Sequence, residues 1–276
     1  MEQFDIPHDH GSSHGMNRVI RLAYSEHPSY VPLLRRAYEL WRELEHLTEE
    51  RLLIITGGID AGPEGCSTVK GSRLSCDLHH LPHETMNAAE LHRRFPGYRL
   101  ADDMMAVYQP NAGFVLSERA IVAHVVAAQT LGADVHAREP VLNWDANGGG
   151  VRVRTSRDTY AADRLVITAG PWAAKLVPAL ARAAVPGRQG LLWPQPMRLE
   201  YFRLGAFPVF NMEARKGGST VSRCTGYRGL RSENTIIAAK KRIQIRWTGT
   251  SIPRRRRCCA REFAVTSPMP TDRRWQ

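Results

Sequence analysis

The chain has 276 residues, 43% apolar and 24% charged, which is enough apolar material for one large core or two modest ones. That balance excludes a wholly disordered chain, and no apolar run approaches the roughly 18 residues of a membrane-spanning helix. The net charge of +11 is unevenly placed: residues 1–213 carry 22 Lys+Arg against 24 Asp+Glu, and residues 214–276 carry 16 against 3.

The opening MEQFDIPHDH lacks the basic-then-apolar layout of a signal peptide, so a cytoplasmic protein with no membrane partner is expected. Five cysteines, Cys66, Cys76, Cys224, Cys258 and Cys259, are an odd number without metal-ligand spacing, so neither a disulfide framework nor a zinc site is expected.

In chain order, Pro28 to Leu53 reads as one amphipathic helix, with Leu34, Ala37, Trp41 and Leu44 on one side and Arg35, Arg36, Arg42, Glu43 and Glu50 on the other. Residues 52–60, LLIITGGID, read as a buried strand ending in a turn. From Gly62 to His83 the pattern is weak. Asn87 to Phe95 suits a short helix stopped before Pro96-Gly97, Met104 to Tyr108 a strand, and residues 110–113 a turn. Ser117 is a good N-cap for a helix over Ala120 to Leu131, closed by Gly132.

A β region follows. Ala133 to His136 reads as a short strand; Val141 to Trp144 pairs through Asn147-Gly148-Gly149-Gly150 with Val151 to Thr155, whose alternation marks one wet and one dry face. Leu165 to Gly170 is an apolar run of the buried parallel-strand kind, and Gly170-Pro171-Trp172 opens a helix expected to continue over Ala173 to Ala184. A strand, small-residue turn and helix start suit a phosphate or flavin group, although such turns abound. Pro194 to Met212 again reads as strands. Beyond it no period of 2 or 3.6 is sustained, and an irregular basic tail is expected, with Arg254 to Arg257 a solvated block.

The densest chemistry lies between His8 and Tyr24, HDHGSSHGMNRVIRLAY. Three readings stand side by side. A metal site could use His8, His10 and His14, but no acidic or cysteine ligand stands at familiar spacing. A flexible polar loop is the plainest reading. An anion and cofactor loop would use the donors of Gly11-Ser12-Ser13, with Arg18 and Arg21 able to grip a carboxylate bidentately.

The run GSSHGMNRVIRLAYSEHPSYVPL, followed by ELWRELE, TGG, PNAGFVLSERAI, ADRLVITAGPWAAKLV and Arg188-Gln189 in that order, resembles the monomeric sarcosine oxidase and N-methyltryptophan oxidase family of the D-amino-acid-oxidase group. The likeness spans about residues 2 to 213. It implies an α/β fold: a glutathione-reductase-like FAD-binding domain (1–53 and 109–175), with an inserted mixed-sheet substrate domain (54–108 and 176–213). Residues 214–276 then form the tail, divergent or frame-shifted. It also implies oxidation of the C–N bond of a secondary amine or N-methyl amino acid by a monomer, with oxygen reduced to hydrogen peroxide.

Carried residue by residue, the resemblance places Glu2 on the adenosine ribose and Ser12, Ser13 and His14 along the flavin. Arg18 falls beside the isoalloxazine ring, Arg21 on the substrate carboxylate, and Tyr24 close by. Val141 matches a backbone contact to the adenine, and Ala169, Gly170 and Trp172 a turn packed near the cofactor. His14, Arg18, Arg21 and Tyr24 are the candidate catalytic group.

Departures from the family pattern bear on activity. The Gly-x-Gly-x-x-Gly turn that holds the pyrophosphate belongs about 30 residues before the acidic position, ahead of this start. The family's oxygen-activating lysine, flavin-attaching cysteine and second carboxylate-binding lysine belong beyond Met212. None of Lys216, Lys240, Lys241, Cys224, Cys258 or Cys259 lies in a matching motif. Poor FAD retention and little turnover are therefore expected. The competing class is a non-catalytic protein whose basic tail contacts nucleic acid weakly, a partner not favoured here.

Overall fold

A computed structural model describes residues 1–146, 148–186, 190–192, 196–213, 221–227 and 236–241. In chain order the elements are β1 (Arg18–Ile20), α1 (Tyr30–Thr48), β2 (Leu53–Ile55), β3 (Gly58–Pro63), α2 (Ser67–Leu78), β4 (Glu84–Asn87), α3 (Ala88–Arg94), β5 (Met104–Gln109), β6 (Gly113–Val115) and α4 (Ser117–Thr130). They continue with β7 (Val141–Ala146), β8 (Val151–Thr155), β9 (Thr159–Ala162), α5 (Ala173–Leu176), β10 (Gly190–Leu192), β11 (Val209–Glu213), β12 (Val221–Tyr227) and β13 (Ile236–Lys241).

The strands form three sheets: β1-β6-β2, β7-β8-β9, and a seven-stranded β10-β13-β12-β11-β3-β5-β4. The last is mixed, because β11 runs parallel to β3 while its other pairings are antiparallel. A mixed sheet is thus present, as the α/β reading expects, and it takes in strands beyond residue 213.

Strand alternation sets what each face carries. On the small sheet, Leu53 and Val115 face Leu44 of α1 and Ala120 and Ala123 of α4. Ile54 and Phe114 face the other way, against Val209 of β11, which ties the two sheets together. On the mixed sheet, Ile59, Ala61, Met86, Ala106 and Phe210 build the largest core with Leu91, Phe95, Tyr98 and Phe207. The opposite face packs Val107 against Val69 and Cys76 of α2 and against Ala23 and Val31.

Local chemistry explains the helix ends. Asn87 accepts the Glu90 N–H at 2.9 Å while Glu90 accepts the Asn87 N–H at 2.8 Å, a reciprocal cap of the kind that contributes about 1 kcal/mol. Burial alone would raise the Glu213 pKa, but Thr68 N–H and Ser67 Oγ, donating at 2.9 and 2.8 Å from the start of α2, hold its carboxyl below the ordinary value. That carboxylate docks α2 onto β11.

Several expected elements differ. The strand over residues 52–60 is two strands in two sheets, separated where Gly57 turns with φ +73°. The weak stretch after Gly62 contains α2, whose interior Ser72, Ser75 and Gly71 hid its period. Ser117 is the first residue of α4 rather than its cap, and its hydroxyl donates to the Gly15 carbonyl.

Residues 133–136 form no strand; this segment instead runs beside the amino terminus, with Glu2 N–H donating to His136 O at 2.7 Å and Arg138 N–H to Phe4 O at 2.9 Å. Leu165 to Gly170 is likewise no strand. Among the described residues nothing pairs with it, and Val166 is 82% exposed. An apolar run becomes a buried strand only where neighbours satisfy its backbone groups.

The helix expected to Ala184 stops at Leu176, because Pro178 opens a separate 3₁₀ turn. Leu199–Phe202 is also 3₁₀, leaving β11 as the strand of that stretch. The tail is not irregular throughout. Backbone ladders pair Phe210–Glu213 with Val221–Cys224, and Arg223–Tyr227 with Ile236–Lys240, so long-range pairing overrode a weak local pattern. Arg188-Gln189 and Arg254 to Arg257 lie outside the described residues.

Candidate functional site

The amino-terminal cluster is built from two parts. Residues 11–18 close on themselves: the Arg18 guanidinium donates to the carbonyls of Ser12 at 3.0 Å, Asn17 at 2.9 Å and His14. Gly15, at φ +109°, permits this, since a Cβ there would sit 2.9 Å from Arg18 Nη1. Ser12 and Ser13 stay exposed while Gly15 and Asn17 are buried, so this polar loop presents hydroxyls outward over a buried base.

After β1 the chain turns inward. Arg21 is only 3% exposed, and its guanidinium lies 4.5 Å from the Tyr24 ring centroid. Its Nε is 3.4 Å from Asp60 Oδ1 and its Nη2 is 3.6 Å from Glu26 Oε2, yet none of its three nitrogens makes a hydrogen bond. A buried guanidinium with idle donors is unusual, because each unsatisfied donor carries a desolvation cost.

Asp60, with no solvent exposure, accepts hydrogen bonds from Ser72 Oγ at 2.9 Å, Gln109 Nε2 at 2.8 Å and Asn211 Nδ2 at 3.0 Å. Gln109 Oε1 in turn accepts the Ala23 N–H at 2.9 Å, and Ser75 Oγ donates to Tyr24 O at 2.6 Å. The residues between Arg21 and Glu26 are thus clasped between α2 and β5. Sequence reading missed Asp60, Ser72, Gln109 and Asn211. The available signal was an aspartate inside the apolar run Ile59-Asp60-Ala61, where alternation turns it to the face opposite the aromatic core.

The other expected contacts gather around Phe4. Its ring lies 4.4 Å from His10, 5.0 Å from His8 and 5.3 Å from Trp172 by centroids, so the turn after Gly170 does meet the amino-terminal segment. Beside this group is a cleft of about 570 Å³, whose walls include Phe4, Asp5, His8, His10, Glu118 and Arg138. Arg21 is outside that lining.

Glu2 spends one carboxylate oxygen on its own chain, accepting the Phe4 N–H at 3.0 Å, with His8 Nε2 3.7 Å away. Val141 starts β7 opposite Thr155. Ala169 precedes the 3₁₀ turn, and Gly170, at φ +49°, has nothing within 4 Å of where a Cβ would stand. The structure therefore brings Arg21 and Tyr24 together, and Trp172 near the amino-terminal residues, but holds His14 and Arg18 in their own loop.

A second buried carboxylate lies beside the amino terminus, where the Glu139 N–H donates to Glu2 O at 2.8 Å. Glu139, 1% exposed, accepts from Thr155 Oγ1 at 2.6 Å, His136 Nδ1 at 2.9 Å and the Tyr160 hydroxyl at 2.8 Å. The Thr155 bond, with those from His136 and Tyr160, outweighs burial and lowers its pKa from the ordinary 4.5 to about 2. A depressed folded-state pKa means its contribution is complete above about pH 4.5 and is lost as pH falls toward about 2. Glu139→Gln is accordingly expected to flatten the fall of melting temperature between pH 5 and pH 2, measured by circular dichroism in a pH series.

The family model for FAD dependent oxidoreductases matches residues 1–261. The chain belongs to this FAD-dependent oxidoreductase family. The match passes beyond Glu213, so the likeness does not end where the basic segment begins.

Among curated relatives, monomeric sarcosine oxidase of Streptomyces avermitilis is 39% identical over 218 residues, 79% of this chain and 57% of the relative. N-methyl-L-tryptophan oxidase of Yersinia pestis is 34% identical over 207 residues, 75% of this chain and 55% of the relative. The chain thus spans a little over half the length of these relatives. The open form of NikD, an amino acid oxidase of nikkomycin biosynthesis, superposes with TM-score 0.73 at 21% identity over 89% of this chain and 64% of that one, which shows the shared α/β fold. Among the described residues no helix is long and apolar enough to cross a membrane.

Proposed function

We propose that this chain carries the carboxylate-gripping and flavin-facing wall of an oxidase acting on the C–N bond of a secondary amine or N-methyl amino acid, with oxygen reduced to hydrogen peroxide. The observation that carries this reading is Arg21, a buried guanidinium with three nitrogens that donate no hydrogen bond. A planar carboxylate supplies the acceptors such a fork lacks. Sarcosine and N-methyl-L-tryptophan, named by the relatives, are the substrate class to test.

The chain's own residues divide the work. Arg21 anchors the carboxylate and Tyr24 covers the guanidinium, so the amine and its N-methyl carbon are held in one orientation, from which much of the rate derives. FAD, when bound, supplies the two-electron acceptor.

The donor set suits that group: exposed Ser12 and Ser13 hydroxyls, and an Arg18 guanidinium pinned to the loop beneath them. Fixed positive charge there favours the negative charge that develops on reduction. Glu2, Val141 and the Ala169-to-Trp172 turn are proposed to flank the adenosine side, next to the Phe4 cleft.

Retention of FAD is expected to be weak. The segment ahead of the Gly170 turn has no ladder partner among the described residues, so no sheet pairing braces the turn's donors. Titrating the purified chain with FAD, following flavin fluorescence and the visible spectrum, tests this. Weak saturable binding, with anaerobic bleaching by sarcosine, is the expected result. A free-flavin spectrum at saturating protein, indifferent to sarcosine, removes the oxidase reading for this chain.

A further inference from the structure

We infer that Asp60 is the positioning residue of the carboxylate site, fixing the Nε edge of Arg21 so that the remaining donors of the fork stay available to a bound carboxylate. This rests on the reading of Arg21 as the anchor.

Three neutral donors from three separate elements, Ser72 of α2, Gln109 of β5 and Asn211 of β11, hold Asp60 in one orientation at zero exposure. None of them neutralises its charge. A buried carboxylate supported only by neutral donors calls for a countercharge, and Arg21 Nε, 3.4 Å from Oδ1, provides it. Because Oδ1 also accepts Asn211 and Oδ2 accepts Ser72 and Gln109, the carboxylate cannot turn to take up the fork bidentately.

The result is an ion pair that sets the place of a guanidinium without consuming its hydrogen bonds. Nη2 has Glu26, half exposed, at 3.6 Å, and neither Nη1 nor Nη2 donates a hydrogen bond. Gln109 completes the device: one end of its amide holds Asp60 and the other holds the Ala23 backbone, two residues from Arg21. The positions of the guanidinium and its countercharge are therefore set by the same side chain.

A residue that only stabilises the fold would weaken binding of every ligand alike. A positioning residue selects carboxylate over an isosteric neutral group, and that ratio is the readout. Ligand-observed NMR on the full chain, comparing sarcosine with its primary amide, measures it. Arg21→Met should abolish the preference for the acid. Asp60→Asn should reduce it about tenfold, the equivalent of one lost charge-assisted contact. Ser72→Ala, which loosens Asp60 while keeping its charge, should reduce it about threefold.

Circular dichroism verifies that each variant folds, and if Asp60→Asn does not, Ser72→Ala decides alone. An unchanged preference in Asp60→Asn, or in Ser72→Ala should it have to decide, overturns the positioning role while leaving the Arg21 reading intact, provided Arg21→Met abolishes the preference. A wild-type chain with no preference for the acid overturns both.

Discussion

Arg21→Met is expected to remove recognition of the substrate carboxylate and, separately, to destabilise the fold. The two effects share one cause. The guanidinium is the only cation within ion-pair distance of Asp60 among the described residues, and Asp60 has no exposure through which water could replace it. Truncating one member of a buried charge pair leaves the other uncompensated, at a cost of about 3 kcal/mol or more. Loss of the fork's two or more charge-assisted bonds to ligand should weaken carboxylate binding by about 2–4 kcal/mol, a factor of roughly 30 to 1,000. Urea unfolding reads the loss of stability and ligand-observed NMR the loss of recognition. A variant as stable as the parent would show that Asp60 finds a new partner instead.

Gly71→Ala is the second change with a large expected effect, and it acts from a helix that carries no charged site residue. A Cβ at Gly71 would stand 2.0 Å from the Ser25 carbonyl oxygen and 2.8 Å from its carbon. Both are backbone atoms of the segment that follows Arg21 and Tyr24, so no side chain can rotate away to make room. Either α2 withdraws from the mixed sheet or the segment between Arg21 and Glu26 is displaced. Withdrawal would break the Ser72–Asp60 and Ser75–Tyr24 hydrogen bonds, and displacement would break the Ala23–Gln109 bond.

Overpacking of this kind costs about 1–3 kcal/mol, and here it adds the loss of at least one buried hydrogen bond of about 1 kcal/mol. A lowered urea midpoint together with lost discrimination between sarcosine and its amide is the expected outcome. Full stability with intact discrimination would mean that the close approach of α2 is not needed to hold the site.

Much of this architecture was readable in the chain. Periods of 3.6 read over Pro28–Leu53 and Ala120–Leu131, where the helices are Tyr30–Thr48 and Ser117–Thr130 and Leu53 already belongs to β2, and the alternation of Val151–Thr155 are local signals, formed by residues within a turn or two of each other. The ordered motifs likewise carried the family. Elements whose stability depends on distant partners were misread. Leu165 to Gly170 has the composition of a central strand but no neighbour among the described residues. The strands Val221–Tyr227 and Ile236–Lys241 have no clear period but do have partners.

What the amino-acid sequence determined unaided was which side chains were available: two arginines three residues apart, a tyrosine beside them, and a glycine-serine loop ahead of them. What tertiary structure alone decided was their electrostatic condition. Arg21 is buried against Asp60, and Arg18 is spent on the carbonyls of its own loop, because Asn211, Gln109 and Ser72 converge on one carboxylate from three distant parts of the chain. Alternation could say which face Asp60 occupies. Only the packing of α2 and β11 on that face could exclude water and turn an aspartate and an arginine into a fixed pair.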